Sequence, residues 1–473
     1  DMDLIFINFI LLPLIAAVVT AFLNNKSKLA NGICVAVFGY HLLYILHNIL
    51  VAKTAFYTGM NMLSVIMLIA IALVALTVAV FSYFAESTNR KGIYYALMLI
   101  LVAGMNGIVS TGDFFSIYIF LEVVAVASFA LIAFYNNPLS TEGAIKYFYL
   151  SAFASILIIL SVSLLFVFTG DTSFTALQNA MTSNATNPTA LNIILGLMVV
   201  GFMVKTGLVP FHTWTPDAYQ GASTSVSAIL AGIVTKVAGA YMLIRIAISL
   251  GIINDGIKTN SVGFAIMVFG LITILVGAIA AMKQNNFKRM LAFSSVSQMG
   301  YIALAAGLAT PLALAGAVFH LFNHATFKTP LFFNARALEQ QAGSCDIDKL
   351  KGLGTKMPYT AWSSIVAMLS TAGLPPLSGF WSKVLIIAAL WEAGFHTFAI
   401  VALFASLLTL AYFINFQRTV FFGKVSPELK NVKEVGFKYL LPVFVFVILI
   451  VGIGLAFTTC FETFIEPFIR FLT

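Results

Sequence analysis

The sequence predicts an all-α, polytopic membrane protein of about fourteen transmembrane helices. Three observations carry that expectation. Of the 473 residues, 61% are hydrophobic and only 9% are charged, with a mean hydropathy of +1.01, whereas soluble domains carry roughly 25% charged residues. Apolar runs of about 20 residues, the length that crosses a hydrocarbon core, follow one another from end to end. The basic residues between those runs fall almost entirely on alternate connections.

The runs lie at roughly 3–23, 30–50, 60–84, 92–110, 113–135, 144–169, 190–209, 222–249, 261–282, 289–308, 311–334, 360–394, 396–417 and 436–460. The first has no basic n-region and no small-residue cleavage site, so it reads as a first spanning helix and not a signal peptide. The longest polar connections, 170–189 and 335–359, are too short for a second folded unit. The expectation is one transmembrane domain over 1–473.

Connections after odd-numbered runs carry Lys26, Lys28, Arg90, Lys91, Lys146, Lys283, Lys288, Arg289, Arg336, Lys349, Lys351, Lys356, Arg418, Lys424, Lys430, Lys433 and Lys438, whereas those after even-numbered runs carry Lys53 and Lys258. The positive-inside rule places the first set in the cytoplasm and both termini outside, in a multi-pass protein of the cell membrane. The net charge of +8 is therefore a loop signature. A nucleic-acid surface would cluster Lys and Arg on one polar face. Cys34, Cys345 and Cys460 are too few and too scattered for a metal site or a disulfide framework. With no CxxC, Walker loop or dinucleotide fingerprint, we expect no metal, no cofactor and no catalytic centre.

Two runs are interrupted by proline. "VKTGLVPFHTWTPDAY" breaks at Pro210 and "STAGLPPLSGFWSK" at Pro375 and Pro376. Both contain Gly-Leu-x-Pro, at Gly207 and Gly373, with Lys205 before the first break and Lys383 after the second. Proline removes a helix hydrogen bond and frees a carbonyl. At membrane depth this is tolerated only inside protein or beside water. Paired breaks in two halves point to a duplicated unit with its site at the breaks. The expected subdivision is 1–88 for the first three helices, 90–250 and 258–420 for two five-helix units, and 430–473 for the last helix.

The ionisable residues inside runs are Glu122, Lys205, Lys236, Arg245, His320, His324, Lys328 and Lys383. Each Lys or Glu at the centre of a lipid-exposed helix costs about 2.5–3.5 kcal/mol. Four lysines and one glutamate would cost on the order of 10–15 kcal/mol, as much as a domain's whole stability. They are therefore expected to face the interior. Arg245 sits near a run end, where it can snorkel. A static ion pair would account for one lysine with Glu122 and leave three unpaired. In "HLFNHATFKTPLFF", His320, His324 and Lys328 recur every four residues, which stacks them on one helix face. Desolvated lysines release protons readily, and histidine is the natural relay between them. The face reads as the middle of a proton wire. His320, about nine residues into its run, is expected near the midplane and Lys328 near the cytoplasmic boundary.

The chain resembles the antiporter-like subunits shared by respiratory complex I, membrane-bound hydrogenases and Mrp-type sodium/proton antiporters. The resemblance covers roughly 90–390. It rests on "TGDFFSIYIFLEV", "KTGLVPFHTWTPDAYQGASTSVSAILAGIVTKVAGAYMLIR", "FKRMLAFSSVSQMGYI", "HLFNHATFK" and "GLPPLSGFWSK". It implies fourteen helices with two inverted five-helix repeats, spans 4–8 and 9–13, and broken spans 7 and 12. It implies a Glu122–Lys205 pair, Lys236 as connecting lysine, the span 11 histidines, and Lys383 as terminal lysine where some relatives carry Glu. It also implies membrane partners, either antiporter-like subunits or small Mrp-type or hydrogenase-linked subunits. Protons, alone or with sodium, would be the transported ions. The expected function is a proton-translocating subunit driven by a redox partner or coupled to sodium antiport. The alternatives are a stand-alone transporter of a small solute or ion and a structural anchor with vestigial charges.

Overall fold

A computed structural model describes residues 5–24, 26–49, 62–182, 187–249 and 261–472. Lys53 and Lys258, which carry the even-side loop charge, lie outside the described residues. The described elements are helices, joined by two isolated bridges, Asp113 with Ser173 and Asn286 with Asp346.

In chain order the main helices are α1 (Ile7–Ala21), α2 (Ser27–His47), α3 (Met62–Ala85), α4 (Lys91–Ser110), α5 (Phe114–Ile132) and α6 (Pro138–Thr169). They continue as α7 (Pro188–Thr206), α8 (Trp214–Gly221), α9 (Thr224–Ser249), α10 (Ser261–Met282) and α11 (Phe287–Leu308). The series ends with α12 (Pro311–Ala342), α13 (Pro358–Ala372), α14 (Ser378–Glu392), α15 (His396–Val420) and α16 (Phe437–Leu455). Among the described residues, eleven helices are long and apolar enough to cross a membrane, α7 and α8 counting as one. The protein is multi-pass.

Helices α9 and α11 are buried along nearly their whole length, whereas α2, α6 and α15 present most of their surface outward. The bundle therefore has a centre, and α9 forms it. Lipid is as apolar as leucine, so burial of oil-like surface cannot drive helices together within it. Close backbone approach does. On α10 and α11 this approach is built from small residues. A Cβ on Gly270 would lie 2.6 Å from Leu304 N, and one on Gly277 2.5 Å from Ser297 N.

Local structure recurs at a fixed spacing. Helices α5 and α11 start at Phe114 and Phe287, and α6 and α12 start at Pro138 and Pro311, so the same stretch of chain separates the members of each pair. Both α6 and α12 run 32 residues and end on a left-handed glycine, Gly170 and Gly343, each at φ 74°. Phe114 N donates to Thr172 O at 2.9 Å, and Phe287 N to Cys345 O at 2.8 Å. Asp113 caps α5 through Ser116 N at 2.7 Å, and Asn286 caps α11 through Arg289 N at 3.3 Å.

Both proline-marked segments are broken. Helix α7 ends at Gly207 (φ 76°) and α13 at Gly373 (φ 87°). Left-handed backbone at these positions favours glycine, which has no Cβ to clash with the carbonyl that follows. Each end is a Schellman closure. Leu208 N returns to Met203 O at 3.0 Å and Leu374 N to Leu369 O at 3.1 Å. Pro210, Pro375 and Pro376 follow the closures and keep the helices from resuming at once.

Three boundaries differ from those expected. The 311–334 run is a helix that continues to Ala342, straight through Pro330. Its polar last turns lie against protein: Asn334 Nδ2 donates to Ser363 and Ser364, and Arg336 to Ala85 O at 2.8 Å. Hydropathy ends a run where the chain turns polar, but a helix packed on partners can go on. The 190–209 segment resumes beyond its break as α8, and the connection 170–189 contains a short helix, Phe174–Thr182. The Phe174 ring lies 4.0 Å under the Arg245 guanidinium, which also donates to Tyr241 at 2.7 Å.

Candidate functional site

Glu122 lies midway along α5 and Lys205 in the last turn of α7, just before the break. A cation in that last turn meets the negative end of the helix dipole. The Lys205 Nζ and Glu122 Oε1 atoms are 3.8 Å apart. The two ends of this pair differ: the lysine side chain is 3% exposed and the glutamate side chain 39%. Two hydroxyls of α6 complete the contact. Lys205 donates to Ser151 Oγ at 2.7 Å and to Ser155 Oγ at 3.1 Å, and Ser155 in turn donates to Glu122 Oε1.

Lys236 is fully buried in α9. The helix is π-wound there, over Leu230–Val234 and again over Lys236–Ala240. Such turns widen the helix and recur at functional positions. The lysine donates to Ala231 O and to Thr235 Oγ1, the latter at 3.0 Å. Gly239, one turn on, packs directly on Thr206. Bare backbone at that point lets the Lys236 segment abut the end of α7 that carries Lys205.

His320, His324 and Lys328 are all fully buried on α12. Lys328, expected near the cytoplasmic boundary of its span, packs against α11. The helix continues beyond it, and its Nζ donates to Ser294 Oγ at 2.6 Å and Leu291 O at 3.3 Å on α11. His324 is within electrostatic range of Lys236, Lys328 and His320, and neither of its ring nitrogens has a protein partner among the described residues. His320 Nδ1 meets Ser382 Oγ at 2.9 Å.

Lys383 follows Ser382 on α14. Its side chain reaches back across the break to Ala372 O, the last carbonyl of α13, at 3.3 Å. It also donates to Ser406 Oγ at 3.3 Å and lies 4.6 Å over the Tyr301 ring. The break thus supplies the carbonyl that this buried cation uses. Glu122 with Lys205, Lys236 with the α12 face, and His320 with the Lys383 segment are each brought together.

Sequence reasoning missed the hydroxyls that line this row: Ser151, Ser155, Ser294, Ser382 and Ser406. A signal existed for two of them. Ser151 and Ser155 stand one helical turn apart in an apolar run, and they precede His324 and Lys328 by the interval that separates the two proline breaks only approximately but the starts of α6 and α12 without remainder. Sequence reasoning also misplaced Lys288. Counted with the loops, this lysine is buried and donates to Ala222 O at 2.7 Å. It lines a polar recess of about 430 Å³ with Glu86, Tyr135, Thr224, Arg336 and Glu339. The hydroxyl of Tyr135 donates to Glu86 there at 2.5 Å.

Comparison with known proteins agrees with this architecture. Residues 111–409 match the transmembrane family described as NADH:quinone oxidoreductase/Mrp antiporter. The chain is 33% identical over 405 residues to a Na(+)/H(+) antiporter subunit of Alkalihalophilus pseudofirmus, covering 85% of this chain and 80% of that one. It is 35% identical over 379 residues to the NADH-quinone oxidoreductase subunit N of Desulforudis audaxviator, covering 78% and 74%. A chain of the membrane-bound sulfane sulfur reductase, an archaeal respiratory membrane complex, superposes with a TM-score of 0.89 at 25% identity over 100% of both chains. The broken helices, the buried lysine row and these matches agree: the chain belongs to the NADH:quinone oxidoreductase/Mrp antiporter transmembrane family, as one of its antiporter-like membrane subunits.

Proposed function

We propose that this chain moves protons across the membrane as a subunit of a multisubunit complex, along Glu122, Lys205, Lys236, His324, His320 and Lys383, with Lys328 beside His324. One observation carries the reading. Lys236, Lys328 and Lys383 are at most 3% exposed and are held by hydroxyls and carbonyls, and among the described residues the only carboxylate within ion-pair distance of the four row lysines is Glu122. A buried ammonium with no counter-ion tends to lose its proton. A row of such groups carries protons instead of storing charge.

The Glu122–Lys205 contact sets the direction of the first step. At 3.8 Å, with an effective dielectric near 20, it stabilises the ammonium form by about 4 kcal/mol. Protonating or withdrawing Glu122 removes that stabilisation. Moving one charge against 100 mV takes about 2.3 kcal/mol, so the swing is large enough to drive a step. The unpartnered nitrogens of His324 fit a water-linked relay. The polar recess at Lys288 and Glu339 fits a wet mouth on the side of the basic loops.

The fourteen-span reading is supported by taking α7 with α8 and α13 with α14 as broken spans and adding α1 and α12. Two inverted repeats, α4–α9 within 90–250 and α10–α15 within 258–420, are supported by the fixed interval between matching helices and by the loop charges, which run corresponding helices in opposite directions. The same charges support an orientation with both termini outside a cell membrane. The partner face is indicated by Glu122. It shares the outward face of α5 with Phe115, Ile119 and Val126, each about half exposed. A carboxylate left against lipid costs about 2.5–3.5 kcal/mol, which a neighbouring subunit would relieve. That partner supplies the energy, from redox chemistry as in a complex I or hydrogenase relative, or from sodium coupling as in an Mrp antiporter. A stand-alone solute transporter is not favoured, since the relatives are named as subunits.

Isolation of the complex in mild detergent, followed by vesicle reconstitution, tests the proposal. Further membrane subunits should co-purify, and Lys205→Ala and Lys236→Ala should each abolish proton movement in assembled complexes. Wild-type proton movement in both variants would overturn it.

A further inference from the structure

We infer that the Ser155 hydroxyl is the proton bridge between Lys205 and Glu122, and that its rotation makes and breaks the first link of the row. The inference rests on the proposed function above. Lys205 and Glu122 stand 3.8 Å apart. A direct hydrogen bond between nitrogen and oxygen reaches only to about 3.2 Å. Ser155 Oγ stands between them. It accepts from Lys205 Nζ at 3.1 Å and donates to Glu122 Oε1.

A serine hydroxyl has one proton and two lone pairs, so Nζ–H, Oγ–H and Oε1 form a complete chain. The transfer balances with no added reactant. The Lys205 N–H bond breaks as a new O–H bond forms on Ser155. The original Ser155 O–H bond breaks as the Glu122 O–H bond forms. Ammonium and carboxylate become amine and carboxylic acid, the serine is regenerated, and the same chain run in reverse loads Lys205 from a protonated Glu122.

The same oxygen has a second acceptor. Ser151 O, one turn back on α6, lies 2.9 Å from Ser155 Oγ. A hydroxyl turned to that carbonyl leaves Glu122 without a donor and opens the chain, while Lys205 stays anchored on Ser151 Oγ at 2.7 Å. One proton with two acceptors gives a closed and an open setting.

The repeat supports the assignment independently. Helices α6 and α12 have the same length and begin at equivalent prolines, Pro138 and Pro311. Counted from those prolines, Tyr147, Ser151 and Ser155 hold the register of His320, His324 and Lys328. The face that carries the row on α12 is the face on which α6 presents the two serines to Lys205.

The test is proton movement by the intact complex in vesicles, normalised to assembled complex, with Lys205→Ala as reference. Ser155→Ala should lower the rate at least about tenfold, and Ser155→Thr, which keeps the hydroxyl, should stay within about twofold of wild type. If Ser155→Ala does not assemble, Ser155→Cys replaces it, with the same loss expected from its weak S–H donor. Wild-type rates in these variants while Lys205→Ala is inactive would overturn the bridge and leave the proposed function standing. Equal losses in assembled Ser155→Ala and Ser155→Thr would assign Ser155 to packing and overturn it too. A fully active Lys205→Ala would overturn the bridge, and together with a fully active Lys236→Ala it would overturn the proposed function as well.

Discussion

His320 Nδ1 and Ser382 Oγ are 2.9 Å apart, which ties the α12 face to the residue immediately before Lys383. Ser382 also donates to Gly379 O at 3.0 Å, so the hydroxyl is fixed and the ring is oriented by it. His324 has no such hydrogen-bonding partner among the described residues, and Lys236 is within its electrostatic range. Burial does not separate the two histidines, since both are fully buried. Their partners do. His320→Ala should lower proton movement by about 10²-fold, as expected for loss of a positioned acid–base group. His324→Ala should lower it less, because water can fill a site with no fixed partner. Vesicle assays on assembled complexes compare them directly, and a larger loss in His324→Ala would reverse the order of importance.

Lys236 is the only ionisable residue in the described part of α9 besides Arg245 and the tyrosine it touches, and the proposed path runs through it from Lys205 to the α12 histidines. Lys236→Arg keeps the charge but cannot release a proton. It should therefore fail as completely as Lys236→Ala while the complex still assembles. Normal transport by the arginine variant would show that this residue acts by charge alone.

Gly207 closes α7 two residues after Lys205. An alanine there is strained at φ 76° by roughly 1–2 kcal/mol, and its Cβ would lie 2.6 Å from Thr215 Oγ1. Gly207→Ala should lower the melting temperature of the complex and shift Lys205 off Ser151, with loss of transport. Gly452→Ala, with open space around its Cβ position, serves as a control and should change neither.

Asp113 caps α5 from outside the helix. Burial raises its carboxyl, but hydrogen bonds from Ser116 and Thr172 outweigh this and hold it below the usual carboxylate range. A lowered folded value means that its contribution is present above the unfolded carboxylate range and lost as pH falls through the folded value. Asp113→Ala should cost about 1 kcal/mol and Asp113→Asn, which can still cap, much less. Thermal unfolding of the two variants at neutral pH would rank them, and the gap between wild type and Asp113→Ala should close on acidification.

Topology is open to cysteine labelling at exposed ends. Lys283 and Asp171 are exposed and fall on opposite sides by the loop charges. Lys283→Cys should react with an impermeant reagent from the cytoplasmic side and Asp171→Cys from outside. Labelling from a common side would break the alternation on which the span count depends.

The amino-acid sequence by itself determined the membrane class, the helical content, both breaks and the ionisable residues from which the proposed row is drawn. Each of these is local: hydropathy reports where backbone can leave water, and Gly-Leu-x-Pro carries its own closure and stop. Only the tertiary structure decided what each buried charge touches. Lys328 meets Ser294, His320 meets Ser382 and Lys205 meets Ser151 and Ser155, all on other helices. A serine in an apolar run looks the same whether it bonds its own helix carbonyl or another helix's ammonium. The π turns at Lys236, the burial of Lys288 and the run of α12 past residue 334 to Ala342 were illegible for the same reason. A buried polar group needs a partner, and the sequence states the need while packing alone supplies the partner.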